Sequence, residues 1–417
     1  MKHKEILLTS EVEKVYEQLL THPLVKDGLH FIQSNNEKTL QDQIEITEIP
    51  APTFQERERG EDYARRLTEL GLEDVRTDEV GNVFGIRRGT GGGPTLFVSA
   101  HLDTVFPEGT NIKATVRDGK VYAPGISDDG RGLTAVLTLL RTMNTINIQS
   151  KGDIIFGATV GEEGLGDLRG VKAFFNERDD VDGFISIEPG TPSRTTYLGT
   201  GSRRYSITYK GPGGHSFGAF GMPSAIHALG RAIAQISKLE TPEDPKTTFT
   251  VGTIHGGTSV NTIAANANMV LDLRSTSQEE LLRLEETVLA IVKQASEEEN
   301  KRWDRDVISV NIELVGDRPA GSQPKDAPIV QAALAATSAI GFTPELGEPI
   351  STDSNVPISL GIPAVTLGGG GDFGGAHTLE EFFDPKDAYY GIQKIFLTMI
   401  GLVGVDQVSE PILSYSN

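Results

Sequence analysis

The stretch TLFVSAHLDTVF, residues 95–106, decides the fold class. Residues 95–100 form a short, mostly apolar run that reads as a strand covered on both faces. The run stops at His101, and Asp103 follows two residues later. In open α/β sheets, sites form outside the carboxyl ends of the strands, so a strand ending in His and Asp points at a site. The same pattern extends to either side. GNVFGIRR (81–88), DIIFGATV (153–160) and DGFISI (182–187) read as further strands. FQERERGEDYARRLTELG (54–71), DGRGLTAVLTLLRTMN (129–144) and GVKAFFNE (170–177) carry apolar residues at helical spacing. Short apolar strands alternating with helices predict a three-layer α/β domain around a mostly parallel sheet.

The middle of the chain changes character. RRYSITYKG (203–211) alternates like a half-exposed strand, and MPSAIHALGRAIAQISKL (222–239) is an amphipathic helix. TTFTVGTIHGG (247–257) and NANMVLDLRS (266–275) are strands. A long helix with an acidic first turn follows (277–300), then a strand (306–316). The order β-α-β-β-α-β is the ferredoxin-like arrangement of an α+β domain. After residue 317 the first style returns, with a helix at 328–341, a strand at 363–369 and a closing helix at 385–404. The expected organisation is therefore one discontinuous α/β domain, residues 1–201 and 317–417, interrupted by an inserted ferredoxin-like (βαββαβ) domain, residues 202–316.

The chain has 417 residues, which suits two domains. Lys and Arg total 38 against 58 Asp and Glu, for a net charge of −20. That balance argues against nucleic acid as a partner, because phosphate binding needs a basic face. There is no cysteine, so a metal would have to be held by His, Asp and Glu. The opening MKHKEILLTSEVEK has an apolar core too short for a signal peptide. No window approaches the roughly 20 apolar residues of a membrane span. A soluble, cytoplasmic protein without membrane contact is expected.

The residues just past each strand of the α/β domain form a pattern. His101 and Asp103 follow the first strand quoted, Glu162 and Glu163 follow 153–160, and Glu188 follows 182–187. His377 comes after 363–369 and a glycine-rich turn, and Asp128 sits at the start of the helix 129–144. Each has a bland reading as a turn residue, a cap or a solvated acid. Their coincidence at one edge of one sheet is harder to dismiss. Two His and three carboxylates suit a pair of divalent ions, one carboxylate bridging them. Asp103 then suits an imidazole-orienting role, and Glu162, left over beside a ligand, suits a general base.

SAHLDTV, GISDDG, GEEG, ISIEPG and the final GGAH, in this order and spacing, resemble the dinuclear-zinc peptidases of the M20 family (glutamate carboxypeptidase, aminoacylase-1 and peptidase T among them). The resemblance runs over nearly the whole chain. It implies two divalent ions per chain, zinc first, with cobalt or manganese also accommodated. It implies His101 and Glu188 on one ion, Glu163 and His377 on the other, Asp128 bridging, and a cis peptide bond after Asp128. It implies Asp103 orienting His101, and Glu162 as catalytic base. The insert resembles the family's lid or dimerisation domain, so a homodimer through it is an expectation. Within it, GPGGHSF implies that His215 stabilises the tetrahedral intermediate. NTIAANANMVLDLR implies a substrate contact from Asn261, and GDRPAG a carboxylate contact from Arg318. The lysine often found shortly after the bridging aspartate is absent, and the glycine run before His377 is longer than the family's pattern.

The expected function is metal-dependent hydrolysis of an amide bond in short peptides or N-acyl amino acids, by an activated water with Glu162 as base. Two other classes compete. A two-metal phosphoesterase would use similar ligands but should place more cationic groups around them. A non-catalytic binding protein retaining the fold should have lost a ligand or the base.

Overall fold

Alternation along the strand Thr95–His101 builds the main sheet. Leu96, Val98 and Ala100 enter one buried cluster, and Phe97 enters another. Both faces of the strand are therefore covered, which is why its sequence reads as an apolar run. The structure is a computed structural model that describes residues 8–415. Reading the amino terminus for an export signal rests mostly on residues 1–7, outside that range.

The chain divides into two compact units. One runs up to Leu198 and resumes at Gln323; the other is Gly199–Ser322. The expected cuts at 201/202 and 316/317 thus move outward. The reason is pairing: Ser202 opposes Arg318, and Gly199 bridges Gly321, so the ends of the insert's outer strands stay with the insert.

In the first unit eight strands lie in the order Glu73–Thr77, Val83–Arg87, Asp153–Thr159, Thr95–His101, Gly183–Glu188, Ala364–Gly368, Arg194–Thr196, Glu345–Leu346. The four from Asp153–Thr159 to Ala364–Gly368 run parallel. Their register sets His101 opposite Thr159 and Glu188 opposite Gly368, so their carboxyl ends share one edge. One face is covered by helices that include Gly130–Thr145, Pro328–Ala339 and Tyr389–Val403. The other is covered by Arg169–Glu177 and Asn355–Ser359, around a stack of Phe97 on Phe174 at 4.2 Å.

Two features lie outside the sequence reading. Helices Ser10–Thr21, Pro23–Ser34 and Asn36–Thr47 precede the sheet. The first is capped by Thr9, whose side chain accepts from the Val12 N–H, and buries Val12, Val15, Tyr16 and Leu19 at helical spacing. The second is a small antiparallel sheet ordered Asp372–Gly374, Phe382–Asp384, Lys120–Tyr122, Thr115–Arg117. It turns the glycine-rich stretch before His377 into one arm of a hairpin and pairs the other arm with Lys120–Tyr122.

The insert has four antiparallel strands in the order Thr247–Gly256, Asn266–Ser275, Gly201–Lys210, Ser309–Arg318. Helices Ala225–Ile236 and Gln278–Arg302 pack on it, burying Ile207, Tyr209, Leu271, Leu281 and Val288. The chain order β-α-β-β-α-β is the ferredoxin-like one. A two-stranded piece, Gly214–His215 with Thr262–Ile263, is added to it. Among the described residues no helix is long and apolar enough to cross a membrane.

Candidate metal centre

His101 is the last residue of its strand and is buried. Its Nε2 lies 3.0 Å from Oδ1 of Asp128 and 3.9 Å from Oε2 of Glu188. Its Nδ1 lies 3.0 Å from the backbone carbonyl of Asp103 and 3.5 Å from that residue's Oδ1. The orienting contact expected from the Asp103 carboxylate is therefore made more closely by its carbonyl. The carboxylate is occupied elsewhere: Oδ1 accepts the Glu162 N–H, and Oδ2 accepts the Glu163 N–H and the Thr53 hydroxyl. Asp103 thus fixes the backbone that carries both glutamates.

Asp128 precedes the helix Gly130–Thr145, and its peptide bond to Asp129 is cis. Its second oxygen, Oδ2, lies 3.2 Å from Nε2 of His377, and the same nitrogen lies 2.9 Å from Oε1 of Glu163. The five side chains fall into two sets sharing one carboxylate: His101 and Glu188 on the Oδ1 side, His377 and Glu163 on the Oδ2 side. Ligand atoms of His101, Asp128 and Glu163 all lie within 4.8 Å of one another. His377 is half exposed and sits at φ 63°, in the hairpin loop after Gly375.

The electrostatics are those of a cation site. Burial, then the charges of Asp128 and Glu162, push the Glu163 carboxyl up to about 7. Burial first, opposed by His101, pushes Glu188 well above the carboxylate range. Burial also acts to raise Asp128, but hydrogen bonds from His101 and His377 outweigh it and hold that carboxyl down. The bond to Asp128 leads in raising His377 to about 9. The Nδ1 contact with a carbonyl makes Nδ1 a proton donor of His101. Burial opposes full protonation, but the hydrogen bonds to Asp103 and Asp128 outweigh it and raise the imidazole well above its usual range. Nε2 therefore holds a proton toward Asp128 that a cation would replace. Oε1 of Glu188 is buried and has no hydrogen-bond partner. An all-nitrogen-and-oxygen donor set with an orphaned buried oxygen fits divalent ions.

Several positioning residues escape sequence reasoning. Asp129 caps the helix through the Gly132 N–H and also accepts the His101 N–H. Buried Arg59 donates to the carbonyls of Thr47, Ile49 and Leu102. Buried Arg131 donates to those of Gly369 and Ala388, which flank the segment that carries His377. The Glu381 carboxylate accepts from Gly125, Ser127 and Asp128. An arginine on a helix or an acid in a loop looks solvated in sequence; only the fold buries these.

In the insert, His215 and Asn261 are neighbours. The Asn261 carbonyl accepts the Ser216 N–H, and its Oδ1 accepts the Ser259 hydroxyl. Nδ1 of His215 accepts the N–H groups of Phe217 and Gly218, which leaves the proton on Nε2. Arg318 ends its strand, opposite Ser202, and is largely buried.

The model for "Peptidase family M20/M25/M40" matches residues 97–400. The chain belongs to that family. As an M20 member it is a hydrolase that cleaves amide bonds with metal, a peptidase or amidohydrolase. A Bacillus subtilis relative described only as uncharacterized is 26% identical, over 80% of this chain and 90% of its own length. The succinyl-diaminopimelate desuccinylase of Burkholderia lata is 28% identical, over 57% of this chain and 69% of its own. Among solved structures, the aminopeptidase PepT of Bacillus cereus superposes with a TM-score of 0.72 at 26% identity, covering 87% of this chain and 98% of that one. A Staphylococcus aureus tripeptidase gives 0.75 at 24% identity, covering 87% and 97%. Neither competing class, phosphoesterase or non-catalytic binder, finds support among these relatives.

Proposed function

We propose that this M20 chain is an exopeptidase of short peptides or a deacylase of N-acyl amino acids, working with two divalent ions. The observation that carries the reading is Asp128, whose two oxygens face two different histidines, each histidine with its own glutamate. His101, Glu188 and Asp128 would hold one ion, and His377, Glu163 and Asp128 the other. Zinc is the first choice, and cobalt and manganese also accept these donors. Bound there, the ions polarise the scissile carbonyl and make water acidic enough to attack at neutral pH.

The chain's own groups do the rest. Glu162 takes the proton of the attacking water and gives it to the leaving amine. Its backbone is held by Asp103, which fixes where the base stands. His215 offers its Nε2–H to the developing oxyanion, Asn261 an amide to the substrate, and Arg318 a guanidinium to a free carboxylate end. A homodimer built through the insert would let the second copy present its His215 to this centre. Relatives support both substrate classes: one is an aminopeptidase and another removes a succinyl group.

The test is a metal-reconstituted assay on di- and tripeptides, N-acyl amino acids and generic phosphate esters. Turnover of at least one amide class and of no phosphate ester is expected. Phosphate-ester turnover without any amide cleavage would overturn the reading.

A further inference from the structure

Glu381 is a buried acid four residues after His377, in the sequence HTLEEFF (377–383). Its Oε2 accepts the Gly125 N–H at 2.8 Å. Its Oε1 accepts the Ser127 N–H at 2.9 Å, the Ser127 hydroxyl at 2.6 Å and the Asp128 N–H at 3.0 Å. Its backbone carbonyl accepts the Ala123 N–H at 3.2 Å. One residue thus gathers the 123–128 loop from both its main chain and its side chain. The next residue, Phe382, opposes Tyr122 in the small sheet. The two loops that deliver Asp128 and His377 are consequently clamped to each other.

We infer that Glu381 is a positioning residue of the metal centre, holding the shared carboxylate of Asp128 in register with the imidazole of His377; this rests on the two-ion reading above. The chemistry of the contacts supports it over plain structural satisfaction. A carboxylate accepting four hydrogen bonds makes charge-assisted ones, stronger and more directional than neutral ones. Three of the four donors are backbone N–H groups, so the clamp acts on the path of the loop. One of those N–H groups belongs to Asp128 itself. Groups that orient metal ligands in this way commonly contribute about 10–100-fold to metal affinity.

Cobalt titration of the metal-free 417-residue chain tests this, with the visible absorption of bound cobalt reporting ligand geometry. Glu381→Ala should fold by circular dichroism yet bind cobalt about 10-fold or more weaker, with an altered absorption spectrum. Glu381→Gln keeps one oxygen for Ser127 and Asp128 but turns an amide N–H against the Gly125 N–H. It should lose less affinity and also shift the spectrum. A Glu381→Ala protein with wild-type affinity and spectrum, and only a lower melting temperature, would reduce Glu381 to a structural residue and overturn the inference. Should that variant not fold, an unshifted Glu381→Gln does the same. A wild-type chain that binds no cobalt would instead sink the metal-centre reading itself, so the two failures are told apart.

Discussion

Glu162 and Glu163 are adjacent in sequence, and Asp103 holds both backbones, yet they are assigned different tasks. Glu163 lies against His377 and is read as a ligand; Glu162 is read as the base. Removing the base should spare the ions. Glu162→Ala is expected to keep its metal content by elemental analysis while kcat falls roughly 10²–10⁴-fold. Normal turnover in the metal-replete variant would remove the assignment. A second residue offers a test away from the centre. Lys394 is fully buried, and its Nζ donates to the Arg194 carbonyl and the Thr195 hydroxyl. Burial, then the charge of Arg194, lowers its pKa from 10.5 to about 7. Between those pH values the unfolded chain binds a proton that the folded one lacks. The contribution of Lys394 to stability therefore rises with pH across that window and is flat below it. Denaturant unfolding of wild type and Lys394→Met should show wild type gaining on the variant from pH 7 to pH 10. A difference independent of pH would contradict the buried neutral amine.

Among elements, periodicity showed through where both faces or one stripe are buried. Thr95–His101 and Asp153–Thr159 read as strands because neighbours and helices cover them on all sides. The stretch 170–177 read as a helix because Val171, Phe174 and Phe175 recur at helical spacing. Phe174 stacks on Phe97 and meets Phe84 edge-on, so it is the keystone of that layer. Phe174→Ala should cost about 3–5 kcal/mol in denaturant unfolding. A loss below about 1 kcal/mol would mean the layer repacks without it. The strands of the small sheet were not legible. Asp372–Gly374 and Phe382–Asp384 have three residues each, too few to show a period, and glycines crowd the first arm. Of the helices between Ser10 and Thr47 only the first has a side-chain cap and none carries site chemistry, so the strand-end pattern did not lead to them.

For the whole molecule, the centre is a point where stability and function meet. Asp128, Glu163 and Glu188 crowd three acids around two histidines; burial and neighbouring carboxylates work against the ionised forms of Glu163 and Glu188, while the histidines hold Asp128 ionised. Ions that neutralise them bind the folded chain and so stabilise it. Chelation should lower the melting temperature by several degrees, and adding back zinc or cobalt should restore it. A chelated protein that melts with the reconstituted one would show that the folded state does not depend on those ions. Much of this cluster was legible beforehand, because His101, Asp128, Glu163 and Glu188 sit at or near the ends of readable elements, whereas His377 lies in a hairpin whose strands were not readable. The clamp by Glu381, the helix-capping hold of Asp129 on His101 and the carbonyl that orients His101 were not. Each joins residues far apart in sequence or uses a main-chain atom that no motif spells.

The sequence by itself determined the α/β layering, the inserted β-α-β-β-α-β unit and the residue types able to hold cations, because these follow from local periodicity and from side-chain chemistry. Only the tertiary structure decided which oxygen of Asp128 faces which histidine, and which buried charges hold the loops in place. Those depend on distances between segments that meet only when the sheet and its hairpin have formed.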